Sequence, residues 1–257
     1  MTQPTVSTVT NFQTALVVRS IVEPVRNYTE YKQVLRYDFY YCCAYCCISE
    51  SEAGGLNFTI DHYEPQLARK DLVNVYSNLM WTCSECNRRK GDRIAPPAAI
   101  SAGFRFFRPD QDAHLDHFEL DGNLLKHKTN AGYYTIEALD LNREALKRIR
   151  DIRKRIYLCD EAVAAGVMAL IKFPIDRLPT NIRGPALRAI RQLADTQESI
   201  SSAVEGALRD HARSHLLDED NNSEERAEIR KEKLKHLEGM FPGDWRGPRK
   251  QRTKSAR

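Results

Sequence analysis

The sequence predicts an α+β protein in two parts, a small cysteine-stapled module followed by a mainly α-helical region. Two matched Cys-x-x-Cys pairs, Cys43 with Cys46 and Cys83 with Cys86, bracket a segment that alternates like a strand and runs on into a helix start. Short strand-like runs flank the turn Asp121-Gly122-Asn123. Beyond Asn142, apolar residues recur every three or four positions, which is the helical period. These shifts divide the chain into a lead-in with a short helix (1–40), the stapled module (41–97), a connecting segment of short strands (98–140) and a helical region with a basic tail (141–257).

In order, Thr29 is placed to cap a short helix through Tyr31, Val34, Leu35 and Phe39, which delivers the chain to the first cysteine pair. Gly54-Gly55 marks a turn, Leu56 to Tyr63 alternates as a strand, and Pro65 ends it because proline cannot donate to a ladder. Leu67 to Val75 reads as loop, Cys86 to Asp92 as a helix start, and Pro96-Pro97 as a linker. Phe104 to Phe107, Phe118 to Leu120 and Leu124-Leu125 read as short strands around a hairpin turn. Asn142 then caps a long helix carrying Leu146, Ile149, Ile152, Ile156, Val163, Val167 and Leu170, which Pro174 stops. A second helix starts after Pro179, with Ile182, Leu187, Ile190 and Leu193 on one face. A third, charged helix runs from Ser223 to about Leu237.

The chain has 257 residues, 42% of them hydrophobic and 29% charged, and a net charge of +4. That balance supports a real core and permits an anionic partner without demanding one. No run approaches the ~18–20 apolar residues of a membrane helix. The threonine-rich start lacks the layout of a secretory signal, so a cytoplasmic protein is expected.

Six of the seven cysteines crowd between Cys42 and Cys86. In a reducing compartment, paired Cys-x-x-Cys spacing points to metal rather than disulfides. Four thiolates suit a structural Zn2+ in a closed tetrahedral shell. Cys42 and Cys47 leave the register open, but Cys43 with Cys46 matches the spacing of Cys83 with Cys86. The interval from Cys46 to Cys83 exceeds the ~15–20 residues of a compact zinc ribbon, so something is built between the knuckles.

That insert holds Asp61-His62 at a strand end, and Asn87 follows the last cysteine at a helix start. Phosphodiester hydrolysis needs a deprotonated water, a cation at the scissile phosphate and charge relief at the leaving oxygen. Histidine suits the base, and Asp and Asn oxygens suit Mg2+ or Mn2+. Neighbouring strand residues point to opposite sides, so Asp61 and His62 serve one site only if the strand bends there.

The set Cys43-x-x-Cys46, Asp61-His62-x-x-Pro65, Asn78-Leu79, Cys83-x-x-Cys86-Asn87-x-x-Lys90 resembles the HNH endonuclease family, in its four-cysteine branch with a ββα-metal finger. The resemblance implies that Asp61 and Asn87 are ligands of a catalytic cation and that His62 is the general base. It implies that Asn78 braces the loop that orients His62, and that Arg88, Arg89 and Lys90 contact phosphate. The Asp in place of a His before His62 favours an oxygen-rich metal site. DNA is the expected substrate, with RNA left open. The alternative is a zinc-dependent module that binds nucleic acid or docks a partner without cutting.

The run Tyr133 to Arg143 is similar to a strand-into-helix continuation in bacterial HNH proteins of phage defence, including the nuclease subunit of the Septu system. That similarity implies antiviral defence with a partner such as an ATPase. Other clusters carry less: His114, Asp116 and His117, or His211 and His215, are spaced for a second metal but lack matching partners. Cys159 reads as core, and Arg183, Arg188 and Arg191 read as a solvated basic face. The tail with Arg246, Arg249, Lys250, Arg252, Lys254 and Arg257 suits phosphate or a disordered end equally.

Overall fold

The computed structural model describes residues 17–53, 56–171, 179, 183–185, 188 and 223–247. Most of the expected second helix, His211, His215 and the tail beyond Gly247 lie outside them.

A capped 3-10 turn, Tyr28–Tyr31, leads into α1 (Lys32–Asp38). The cap is Asn27 rather than Thr29, because Asn27 and Glu30 form a reciprocal capping box. After α1, Tyr40 and Tyr41 both take left-handed backbone conformations (φ 51° and 57°) and turn the chain sharply into the first knuckle. Ala44 N–H donates to Trp81 C=O (2.8 Å), which ties that knuckle to the strand that carries the second.

The next strands, β1 (Phe58–His62) and β2 (Leu79–Cys83), pair antiparallel with Asp61 opposite Met80 and His62 opposite Leu79. Every residue of β2 is buried, and Trp81 stacks on Phe58 across the pair, ring centroids 5.8 Å apart. Helix α2 (Ser84–Lys90) follows at once. Its cap is Cys83, whose Sγ accepts from Cys86 N–H (3.4 Å), so one sulfur both starts the helix and faces the metal cluster. Glu85 in the first turn and Arg88, Arg89 and Lys90 in the last suit the helix dipole. Gly91, at φ 53°, ends it.

The expected linker at Pro96-Pro97 is instead the start of α3 (Pro97–Ser101), proline being well suited to a first helical turn. Phe104 to Phe107 forms no strand. Phe106 and Phe107 are buried side chains, and the Phe107 N–H is satisfied by Thr135 Oγ1 (2.8 Å) rather than by a ladder. After the one-turn helix α4 (His114–His117), β3 (Phe118–Asp121) and β4 (Leu124–His127) form the expected hairpin.

Tyr133 to Leu139 belongs to a helix, α5 (Asn130–Leu139), and not to a strand. Thr129 caps it, and Asp140 in the left-handed region (φ 54°) ends it. At Gly132 it presses on the preceding hairpin so closely that a β-carbon would lie 2.3 Å from His117 O. Asn142 does not cap the long helix. Its amide bonds Leu125 N–H and C=O (2.8 and 2.9 Å), pinning β4, and α6 (Glu144–Ile171) starts two residues later.

Helix α7 (Ser223–Met240) packs against α5, with Leu234 and Leu237 buried. Asp140 receives Arg89 from α2 and Arg226 and Arg230 from α7, at 3.1–3.2 Å. One core therefore runs from the stapled module through α5 to α7. Among the described residues, no helix is long and apolar enough to cross a membrane.

Candidate active site

The knuckles bring four sulfurs together. Those of Cys43, Cys46, Cys83 and Cys86 all lie within 4.8 Å of one another, and Cys46 and Cys83 are 3.8 Å apart. A zinc–sulfur bond of ~2.3 Å in a tetrahedron sets neighbouring sulfurs about 3.8 Å apart, so the cluster fits zinc. Cys42 and Cys47 stay outside it. Cys47 takes the left-handed turn (φ 57°) that closes the first knuckle.

Arg143, from just before α6, reaches into the cluster with Nη2 4.0 Å from Cys86 Sγ. Burial opposes its charge, yet the Cys86, Cys46 and Cys83 sulfurs raise its pKa further above the usual arginine range. A guanidinium there offsets the excess negative charge of four thiolates on a divalent ion. Arg153, one helical stretch on, bonds Cys47 C=O (2.7 Å) and Glu52, so α6 clamps the first knuckle from outside.

On the other side of β1 lies an open cavity of about 240 Å³ lined by Ile60, Asp61, His62, Pro65, Gln66, Leu67, Asn87, Gly91 and Asp92. The two strand-end residues reach it from opposite faces. Asp61 turns inward, accepting from Tyr45 O–H (2.8 Å) on Oδ2 and from the Lys90 ammonium (3.2 Å) on Oδ1. His62 turns towards the loop, with Nε2 2.9 Å from Val73 O, Nδ1 3.1 Å from the Gln66 amide nitrogen, and its ring edge-on to Tyr28.

A carbonyl can only accept, so Nε2 carries the proton and Nδ1 presents its lone pair to Gln66. Burial holds the imidazole below its ordinary pKa and outweighs the Val73 bond and Asp61, which act upward; Lys90 acts downward with burial. Asn78, 4% exposed, ties the loop: Oδ1 accepts from Glu64 N–H (2.9 Å), and Nδ2 donates to Glu64 O and Leu72 O (3.1 and 3.3 Å). It thus fixes the peptide next to the carbonyl that holds His62. The Asn87 carboxamide makes no hydrogen bond among the described residues.

Residues 43–93 match the family model for HNH endonuclease. No curated protein and no solved structure matches the chain. The HNH domain thus occupies about a fifth of the sequence, coincides with both knuckles and the β1–β2–α2 unit between them, and brings metal-dependent nuclease chemistry into view. Its four cysteines are placed to hold a metal ion.

The basic triplet after Asn87 is not a uniform phosphate-facing patch. Lys90 is fully buried, bonds Asp61 and His62 O (2.7 Å), and lies over the Phe106 ring, 5.7 Å from its centroid. Arg89 bonds Glu85 and Asp140 inside the fold. Arg88 is 68% exposed, although it also pairs with Glu85. Burial thus takes Lys90 out of reach of a phosphate and makes it a brace for Asp61.

Sequence reasoning missed Tyr45, Gln66, Asp92 and Arg143. Tyr45, between two ligand cysteines, had a signal in its position. The others are brought in by tertiary packing.

Proposed function

We propose that the HNH domain hydrolyses phosphodiester bonds in DNA with His62 as general base. The observation that carries this reading is the His62 tautomer: Nε2 is committed to Val73 O, which leaves a lone pair on Nδ1 beside the cavity shared with Asp61 and Asn87. In that role Nδ1 takes the proton from the attacking water, and the Val73 carbonyl stabilises the imidazolium that results. Gln66, now bonded to Nδ1, must give way to that water.

Asp61 and Asn87 would hold Mg2+ or Mn2+. Both offer hard oxygens; Tyr45 and Lys90 fill two of the roughly four acceptor sites of the Asp61 carboxylate, and the Asn87 amide is uncommitted. The cation would supply charge stabilisation at the scissile phosphate and the leaving oxygen. Asn78 positions the loop behind His62, Arg88 is the member of the basic triplet placed to meet a phosphate, and zinc on the four cysteines fixes the frame. A module that only bound nucleic acid would need none of Asp61, His62 and Asn87 around one cavity.

The setting we infer is a cytoplasmic defence against phage, with cutting licensed by an ATPase partner. Its support is the sequence similarity of Tyr133–Arg143 alone, since Tyr133 to Leu139 is helix here rather than the strand that similarity implied. Incubation with plasmid DNA and with single-stranded RNA, each with Mg2+, Mn2+ or chelator, tests the activity. Cation-dependent cutting of DNA is expected, and preference for RNA would overturn the substrate.

A further inference from the structure

The C-terminal segment returns to the HNH domain at the lip of the cavity. Arg93 and Arg246 face each other in an antiparallel bridge. It is closed on one side by Ile94 N–H to Trp245 O (3.1 Å) and on the other by Gly247 N–H to Asp92 O (2.7 Å). Gly91 and Asp92, just before Arg93, line the cavity. A β-carbon at Gly247 would lie 3.5 Å from that of Ala68, which follows the cavity-lining run Pro65 to Leu67. Buried Trp245 anchors the segment, its ring 5.6 Å from Tyr134 and its indole N–H on Phe241 O (2.9 Å).

This arrangement sets two positive side chains opposite one another, which is unfavourable in a strand pair. Arg246 reaches Asp92 at 3.3 Å, but the partly buried Arg93 guanidinium makes no ion pair or hydrogen bond among the described residues. Burial, and next to it Arg246, act against the Arg93 charge and outweigh Tyr134, Glu238 and Asp92, which favour it. The Tyr134 hydroxyl, buried without a hydrogen-bond partner, sits in the field of both arginines and of Glu238. A phosphate here would give the Arg93 guanidinium a partner and relieve its repulsion with Arg246.

We propose that Arg93 and Arg246 clamp the DNA backbone beside the scissile phosphate. The identity of the ligand rests on the nuclease reading above. The clamp would give the enzyme sequence-independent affinity for phosphates near the point of attack, with Arg88 on the far side of Asn87 as a further contact.

The test is binding of a fluorescein-labelled DNA duplex of about 30 base pairs by the zinc-loaded protein, followed by anisotropy without added Mg2+ or Mn2+ over a salt series. Each phosphate contact contributes about 0.9 to the slope of log affinity against log salt. The full chain carrying Arg93→Gln and Arg246→Gln should lose about 2 from that slope and bind at least ~10-fold more weakly at moderate salt. Lysine at positions 93 and 246 should restore most of the slope.

Should the double glutamine variant not fold, Arg246→Gln alone, at a side chain 43% exposed, should lower the slope by about 1. Slopes equal to wild type in these variants overturn the clamp. Cutting of the same duplex by wild type with Mg2+ is read in parallel. Cutting with unchanged slopes removes the clamp and keeps the nuclease; altered slopes without cutting do the reverse.

Discussion

The Nε2 of His62 lies 2.9 Å from the carbonyl oxygen of Val73. The carbonyl belongs to the residue after Leu72, whose own carbonyl is held by Asn78. Strand end, loop and buried asparagine therefore act in series on one imidazole. Each link is a backbone group paired with a side chain, and a buried backbone group left unpaired costs about 1–3 kcal/mol.

Asn78→Ala should break that series at its root. It leaves Glu64 N–H, Glu64 O and Leu72 O without their partner, so stability should fall by about 1–3 kcal/mol in urea unfolding. Cleavage should fall by roughly 10–100-fold, the scale seen when a partner orienting an active group is removed, while bound zinc per chain stays unchanged. Full activity with the same loss of stability would assign Asn78 a structural role alone.

The depressed pKa of His62 has a defined sign for activity. A base works when neutral, and burial disfavours its protonated form, so the acid limb of kcat/KM against pH should lie below the ordinary histidine value of about 6.5. A cation on Asp61 and Asn87 would push the limb the same way. A limb clearly above 6.5 would contradict the assignment of His62 as the base.

Lys90 and Asp61 form a buried ion pair, 0% and 4% exposed. Removing one partner of such a pair costs about 3–5 kcal/mol because the other charge is left buried. Lys90→Met should therefore lower the urea midpoint strongly, and DNA affinity without added Mg2+ or Mn2+ at low salt should change little for zinc-loaded protein that remains folded. A large loss of affinity with unchanged stability would restore Lys90 to phosphate contact.

Arg143→Gln should loosen zinc. With the guanidinium 4.0 Å from Cys86 Sγ gone, the thiolate charge is less well compensated, and release to a chromogenic chelator should occur at roughly 10–100-fold lower chelator concentration. Equal retention by wild type and variant would show that Arg143 serves packing only.

The knuckles, the β1–β2 hairpin and α2 were legible in the sequence because each has a short-range signature: cysteine spacing, alternation into Pro65, and a helix start after the last cysteine. The fate of Lys90 was not. A lysine in a last helical turn usually meets solvent, and here it lies over Phe106 and bonds Asp61, one well after it in sequence and one well before. Asn142 reads as a cap for the same local reason, yet β4 claims its amide. Phe104 to Phe107 has strand composition but no strand beside it. Arg93 and Arg246, more than half the chain apart, meet through tertiary packing alone.

The central claim is that His62 is the base of a metal-dependent nuclease. It is tested most directly by plasmid nicking in Mg2+ or Mn2+, comparing wild type with His62→Ala at equal zinc content. Loss of nicking by at least ~100-fold in the variant, within the range attributed to a general base, is the result this account predicts. Equal nicking by both proteins would contradict it.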